Sequence, residues 1–489
     1  MNNLIFGIIT ILLCILGYFF SFKYYKRINY KTAILLILIC GLMLRLYTGT
    51  DLYLHTWDER YHALVAKNLL KHPLLPTLYE NSIFPYDYKN WLENHVWLEK
   101  GPIPLWAIAG SLKIFGISEI SVRIPSIIIS TIAIYLTYLI GRLLYSRKVG
   151  LLAAFLHSIN GLIIELAGGR ISSDHVETFF IFFVELAILM SIYAIKNKKT
   201  YYFSILIGLF TGCSLLCKWM PGLIVFPVWF LGAYFANQNN FKKLLIHATL
   251  IIVVCFFIFF SWIIYTWNNF PNETKWVLSK FIFAYNNTIE GHSGLMYYYV
   301  HYIRIIFGEL VYIPLLCGIF FLFRKNISWK LIMLTAWWLI PVIIFSFADT
   351  KRSTYLLISA PAFFIVTSYF WFYIKYIRIK VKYKFILNII LFLLILLPIR
   401  YCIERIKPFE IRDRNPIWTQ QLKVIKNKIP KANNIILFNI ERPIETMFYT
   451  DCIAYSMIPE YEIIEDLIKN GYIVLINEDG NLKIIQRKK

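Results

Sequence analysis

The 489 residues are 58% hydrophobic and 18% aromatic, with a mean hydropathy of +0.60 and a formal charge of +22. So apolar a composition over this length excludes a water-soluble globular protein. In a soluble chain the charge would point to nucleic acid, but its placement here assigns it to membrane topology.

Apolar stretches at 4–22, 32–47, 122–144, 149–166, 176–194, 202–216, 219–235, 245–267, 305–323, 331–348, 354–374 and 385–399 predict about twelve spans at ~20 residues per crossing. The two flanking Lys218 are short and fit a tilted or half-buried course. The first is expected to be an uncleaved anchor, because Met1-Asn2-Asn3 carries no basic region and no small-residue cleavage site precedes Lys23. Cys14, Cys40, Cys213, Cys217, Cys255 and Cys317 fall inside spans, where thiols pack as small hydrophobes, which leaves Cys402 and Cys452 as the pair able to bridge.

If the spans alternate, one set of connections holds Lys23, Lys26, Arg27 and Lys31, then Arg147 and Lys148, then Lys196, Lys198 and Lys199, then Lys242 and Lys243. Arg324, Lys325 and Lys330 follow on the same side, and then Lys375, Arg378, Lys380, Lys382 and Lys384. The positive-inside rule makes this face cytoplasmic. The opposite face carries two long loops, 48–121 and 268–304, and seven of the nine histidines, so function is expected there. The chain thus divides into a transmembrane domain, 1–400, and a small tail, 401–489, which an even number of crossings places outside the cell membrane. Apolar runs at 435–440, 452–456, 472–477 and 482–486 predict strands and 444–449 and 460–470 predict helices, a small α/β module. The fold class is therefore an all-α polytopic membrane protein with a small α/β extracytoplasmic domain.

The first outer loop places Asp58 and Glu59 at the start of a helical pattern, 59–70. A carboxylate in a desolvated cleft gains proton affinity and suits a general base, whereas acids at a helix start also simply favour the first turn. Further on come Trp97, Glu99 and Lys100, before an amphipathic run that reaches Phe115 and suits the membrane interface. Lys100 offers a point charge to a lipid phosphate, or snorkels, while Trp97 suits an interfacial anchor. Lys218 and the stretch Lys351-Arg352-Ser353-Thr354-Tyr355 add cations on the same face, either span-end anchors or one cationic pocket in which Arg352 grips a phosphate. Asp174, closing the short Gly168–Ser173 connection, reads as an N-cap or as an acid in the same cleft. In the second loop Glu290 and His292 precede the aromatic Tyr297-Tyr298-Tyr299, and Glu99 with His292 could hold a divalent cation.

The order of Asp58-Glu59, Glu99-Lys100-Gly101-Pro102, Arg123-Ile124-Pro125, Asp174, Lys218 and Lys351-Arg352-Ser353-Thr354-Tyr355 resembles the GT-C glycosyltransferases, in particular the aminoarabinose (lipid A) transferase and protein mannosyltransferase group. The resemblance covers roughly residues 40–375. It implies a GT-C fold of multiple transmembrane helices and inverting transfer of a sugar from a polyprenyl phosphate to a lipid, glycan or protein acceptor at the outer face. It further implies Asp58 as base, Lys100 with Lys351 or Arg352 on the carrier phosphate, and a Zn2+ held by Glu99 and His292. Gly101 departs from the Lys-Pro-Pro of many relatives, a change expected to matter little. The competing reading from another class is a transporter or flippase of lipid-linked saccharide, for which Glu185 and His157 inside spans would be the features to stress.

Overall fold

The computed structural model describes residues 3–197, 200–236, 240–283, 287–323, 327–377, 381–430, 434–478 and 481–485. Met1, Asn2, Lys198, Lys199, Arg324, Lys325, Arg378, Lys380 and Gln486, which entered the sequence reading above, lie outside that set.

Nine helices among the described residues are long and apolar enough to cross a membrane, or up to eleven spans if each of two bent pairs counts as one. The chain is a multi-pass membrane protein. The count differs from the expected twelve because hydropathy registers apolarity and not continuity. The 149–166 stretch is two helices, Arg147–Ser158 and Gly161–Ala167, meeting at 58°. Asn160 causes the break: its side chain caps the second helix at the Ile163 N–H, 3.1 Å away, and its amide donates to the Ile306 carbonyl at 2.9 Å. The 305–323 stretch turns by 116° at Gly308, whose φ of +97° is cheap for glycine alone. The 219–235 stretch is a 3-10 turn, Met220–Ile224, running into the short helix Val225–Ala236.

The main apolar core joins Asp174–Lys196, Thr200–Lys218, Val225–Ala236, Trp329–Phe347 and Ala360–Tyr376, with Phe179, Val184, Trp337 and Phe363 buried at its centre. Basic groups gather at one end of the bundle. There Lys148 donates to the Tyr376 hydroxyl at 3.1 Å, Arg147 stacks on Tyr30, and Lys196 donates to the Leu143 carbonyl. The opposite helix ends carry Asp58, Lys100, Lys218 and Arg352.

Residues 417–485 form a four-stranded sheet with three helices. The strands are β1 (Ile435–Phe438), β2 (Ile453–Ala454), β3 (Ile473–Glu478) and β4 (Asn481–Ile485), in the order β2-β1-β3-β4. β1 pairs in parallel with β2 and β3, and β4 runs antiparallel to β3. The sheet shares one apolar core with the helices Asp58–Asn68 and Pro102–Phe115, in which Leu64, Leu105, Phe438 and Phe448 are buried together. Polar ties seal the junction: Lys67 donates to the Met447 carbonyl at 2.8 Å, and the Tyr449 hydroxyl donates to Glu119 at 2.7 Å. The tail therefore braces the helix that begins at Asp58.

Candidate functional site

Five segments converge on a cleft of about 720 Å³, including its open mouth. They are the start of Asp58–Asn68, the loop ending at Lys100, the end of Thr200–Lys218, the helix Pro271–Phe283, and the paired stretches 289–290 and 350–355. Lys100, Lys218, Lys280 and Arg352 line it together with Asp58, Glu99, Glu290 and Tyr355. The 287–292 loop is fixed to its neighbour by the Thr350 hydroxyl, which donates to the Asn287 carbonyl at 2.6 Å, and by the Lys351 N–H, which donates to the His292 carbonyl at 2.9 Å.

Asp58 is nearly buried, with one carboxylate oxygen accepting from the Ser173 N–H at 2.8 Å and lying 3.8 Å from the Lys100 ammonium. Burial pushes its carboxyl up, but Lys100, His62 and the Ser173 N–H together pull it below the ordinary carboxylate range. The expected gain in proton affinity is thus reversed: a desolvated carboxylate keeps its charge because a cation was buried beside it. Lys100 in turn is held charged against burial by Asp58 and Glu99. Lys218 pairs with Glu177 and lies 4.6 Å from the Tyr355 ring centroid, a cation–π contact. Arg352 binds Glu290 at 2.6 Å, and Lys280 binds Glu99 at 2.5 Å and approaches Glu290 at 3.6 Å.

Behind the cleft Glu59 is fully buried and satisfied. Arg123 meets its two oxygens at 2.7 and 2.9 Å, the His55 N–H donates at 2.6 Å, and the His175 ring lies at 3.3 Å. Burial opposes its charge, but Arg123 and His55 hold the carboxyl well below the usual range. Gly169 admits this carboxylate: a Cβ there would sit 2.0 Å from Glu59 Oε1, at a φ of +74°. The charged chain continues through His55 to Asp51, which also binds Arg170 at 3.1 Å, Arg412 at 3.1 Å and Arg414 at 2.6 Å.

Of the residues singled out in the sequence, Asp58, Glu99, Lys100, Lys218, Arg352 and Tyr355 share the cleft. Five others do not line it. Glu59 is fully buried and committed to Arg123. Asp174 is neither a side-chain cap nor in the cleft: it starts its helix at a φ of +22° and accepts from His62 Nδ1 at 2.8 Å, both side chains being buried. Trp97 is no interfacial anchor, being 1% exposed, packed edge-on to His62 and donating to the Trp91 carbonyl at 3.0 Å. The extended backbone at Arg352 turns neighbouring side chains apart, so Lys351 is buried with its ammonium on the Ala348 carbonyl while Arg352 enters the cleft. His292 is exposed, and partial desolvation with the charge of Arg352 lowers its proton affinity.

The proposed Glu99–His292 metal pair therefore does not fit as folded. Glu99 already holds an ammonium, and among the described residues no three His, Cys, Asp or Glu groups come together around one point. Lys280 carries no signal in the sequence beyond its place in an outer loop, since its partner Glu99 is 181 residues away.

Gly101 matters more than expected. A Cβ there would overlap the Leu216 carbonyl oxygen at 1.8 Å, so the loop carrying Lys100 lies directly on the end of the Lys218 helix. Gly101→Ala is expected to displace Lys100 and to cost about 1–3 kcal/mol by overpacking. A lowered thermal midpoint would register it.

A dolichyl-phosphate-mannose-protein mannosyltransferase family matches residues 99–265. An undecaprenyl phosphate-alpha-4-amino-4-deoxy-L-arabinose arabinosyl transferase of Pseudomonas fluorescens is 25% identical over 281 residues, 55% of this chain and 48% of the relative. One from Proteus mirabilis is 23% identical over 286 residues, with 55% and 49% covered. The crystal structure of ArnT from Cupriavidus metallidurans bound to undecaprenyl phosphate superposes with a TM-score of 0.63 at 13% identity, covering 91% of this chain and 93% of ArnT. The chain has the fold of ArnT. The archaeal oligosaccharyltransferase AglB from Archaeoglobus fulgidus has a similar fold, with a TM-score of 0.56 at 14% identity over 91% of this chain and 69% of AglB. The chain spans about half the length of the curated relatives it matches.

Within this fold the cleft does not end at its polar wall. Lys218, Trp219, Thr350 and Tyr355 are shared with a second, largely apolar groove of about 1570 Å³ that runs along Met220, Pro221, Leu223, Ile224 and Pro227 and faces Pro341, Ile344 and Phe345. The broken 219–235 stretch builds one wall of it, since a 3-10 turn opening on proline cannot close against its neighbour as a straight helix would.

Proposed function

We propose that this chain is a glycosyltransferase that moves a sugar from a polyprenyl-phosphate carrier to a lipid, glycan or protein acceptor. The observation that supports it is the continuity of a cation-rich cleft with an apolar groove through Lys218 and Tyr355. A polyprenyl phosphate has that pattern of chemistry: an apolar tail for the groove, an anionic link at the junction and a sugar beyond it. By the positive-inside rule the cleft and the tail domain face away from the cytoplasm, opposite the end that carries Arg147, Lys148 and Lys196.

In this reading the acceptor hydroxyl attacks the anomeric carbon on the face away from the phosphate. The new C–O bond forms as the bond to the phosphate oxygen breaks, so the sugar inverts, the bonding pair leaves on the phosphate, and the hydroxyl proton passes to the Asp58 carboxylate. Lys100, Lys218 and Arg352 stabilise the charge that grows on the leaving phosphate, the role fixed donors fill best in a dry cleft. The low proton affinity of Asp58 suits an acceptor whose proton becomes acidic only as its oxygen bonds to carbon.

The test is transfer of label from a panel of polyprenyl-phosphate sugars to membrane acceptors, with native protein and Asp58→Asn at matched expression. Transfer that requires Asp58 supports the reading and names the donor. Movement of labelled lipid-linked sugar across vesicle membranes by both proteins, with no transfer, would replace it with transport.

A further inference from the structure

Lys280 is a residue the catalytic reading does not use, yet it stands at the centre of the outer wall of the cleft. Its ammonium lies 2.5 Å from Glu99 Oε1 and 3.6 Å from Glu290 Oε1, and its side chain is 13% exposed. The other oxygen of Glu290 is bound to Arg352 at 2.6 Å. One cation thus joins three separate segments: the loop before Gly101, the helix Pro271–Phe283 and the loop that carries Glu290. A divalent ion joins carboxylates from distant loops in this way, with bare oxygens about 2.0–2.6 Å from the metal. Here those oxygens face ammonium hydrogens. A second cation brought to the same carboxylates would meet the charge of Lys280 and would have to displace it from both oxygens.

We propose that Lys280 is a positioning residue that holds, with its own ammonium, the place between Glu99 and Glu290 that a divalent cation would otherwise take, so that this site works without a bound metal. The proposal rests on the glycosyltransferase reading for its activity arm but not for its metal-binding arm. An ammonium brings one positive charge and hydrogen-bond donors, and it has no vacant orbital for water or a sugar oxygen. Its work is therefore to tie the Glu290 loop to the floor of the cleft beside Lys100, leaving the phosphate to Lys100, Lys218 and Arg352.

The experiment measures metal directly. Native protein purified without chelator and dialysed against zinc, manganese or magnesium is analysed for bound metal, alongside Glu99→Gln. Less than a tenth of an equivalent in the native chain is expected, on the order of background for a site whose oxygens are already paired. One equivalent in the native chain, lost in Glu99→Gln, would overturn the proposal whether or not any transfer is detected. In the transfer assay with chelator present, native turnover is expected to persist. Lys280→Met should lose about tenfold in kcat/KM for the donor, as for a residue that orients others, and Lys280→Arg should restore most of it. A Lys280→Met protein with native kcat/KM in chelator would equally sink the assignment.

Discussion

Asp58→Asn is expected to lower turnover by about 10²- to 10⁴-fold, the range for removal of a positioned base, with donor binding nearly unchanged. Asparagine keeps the shape and still accepts from the Ser173 N–H, so the strained turn at Ser173 and Asp174 has no reason to move. What it cannot do is take a proton or balance Lys100. The pH profile supplies a second readout. Because the carboxyl sits below its ordinary range, the native rate should hold as pH falls through the usual carboxylate values of about 4 and decline only beneath them. Lys100→Met removes the charge that opposes burial, so the acid limb should move up toward neutrality. An acid limb that stays in place in Lys100→Met would separate Asp58 from the rate-limiting proton transfer.

Arg123→Ala is expected to be the most damaging change to folding, about 3–5 kcal/mol, because it strips a fully buried carboxylate of its cation. The guanidinium also donates to the Gly49, Asp51 and Tyr53 carbonyls, so one truncation unseats Glu59 and the turn into the Asp58 helix together. Glu59→Gln should cost less, since the amide oxygen can still accept from Arg123. The pH dependence follows from the lowered proton affinity of Glu59 and Asp51. A carboxyl whose folded-state proton affinity is depressed stabilises the fold fully above its unfolded value of about 4, and that contribution fades as pH falls through the lower folded value. Native protein in detergent should therefore lose thermal stability steeply only in strong acid, whereas Glu59→Gln should start lower and fall less. Equal acid sensitivity of the two would remove Glu59 from the stability argument.

Much of the cleft was legible before any coordinates because its cations sit where charge is costly. Lys218 and Arg352 stand at the ends of apolar stretches, Lys100 precedes an amphipathic run and Asp58 opens a helix at the same face, so side of the membrane alone groups them. What sequence could not give is which acid each cation takes. Glu99 with Lys280 and Lys218 with Glu177 are joined across 181 and 41 residues, and nothing local encodes either pairing. Trp97 failed for a different reason: an indole beside a lysine fits an interface and a core equally well, and only the packing of the tail against Leu64 and Leu105 decides between them. Hydropathy also could not show that Asn160 and Gly308 bend two of the apolar stretches, or that the 219–235 stretch opens as a 3-10 turn.

The bond between Arg352 and Glu290 gives the cleft a counterion of its own. Under the proposed function, a phosphate arriving at Arg352 would not have to strip bulk water from a bare guanidinium; it would take over from a carboxylate that stays tethered nearby on the 287–292 loop. A tethered competitor acts at a high effective concentration. In the proposed reaction, once the sugar had gone and the carrier phosphate had become the spent group, that carboxylate would be in place to reclaim Arg352, so turnover would end in an exchange of anions.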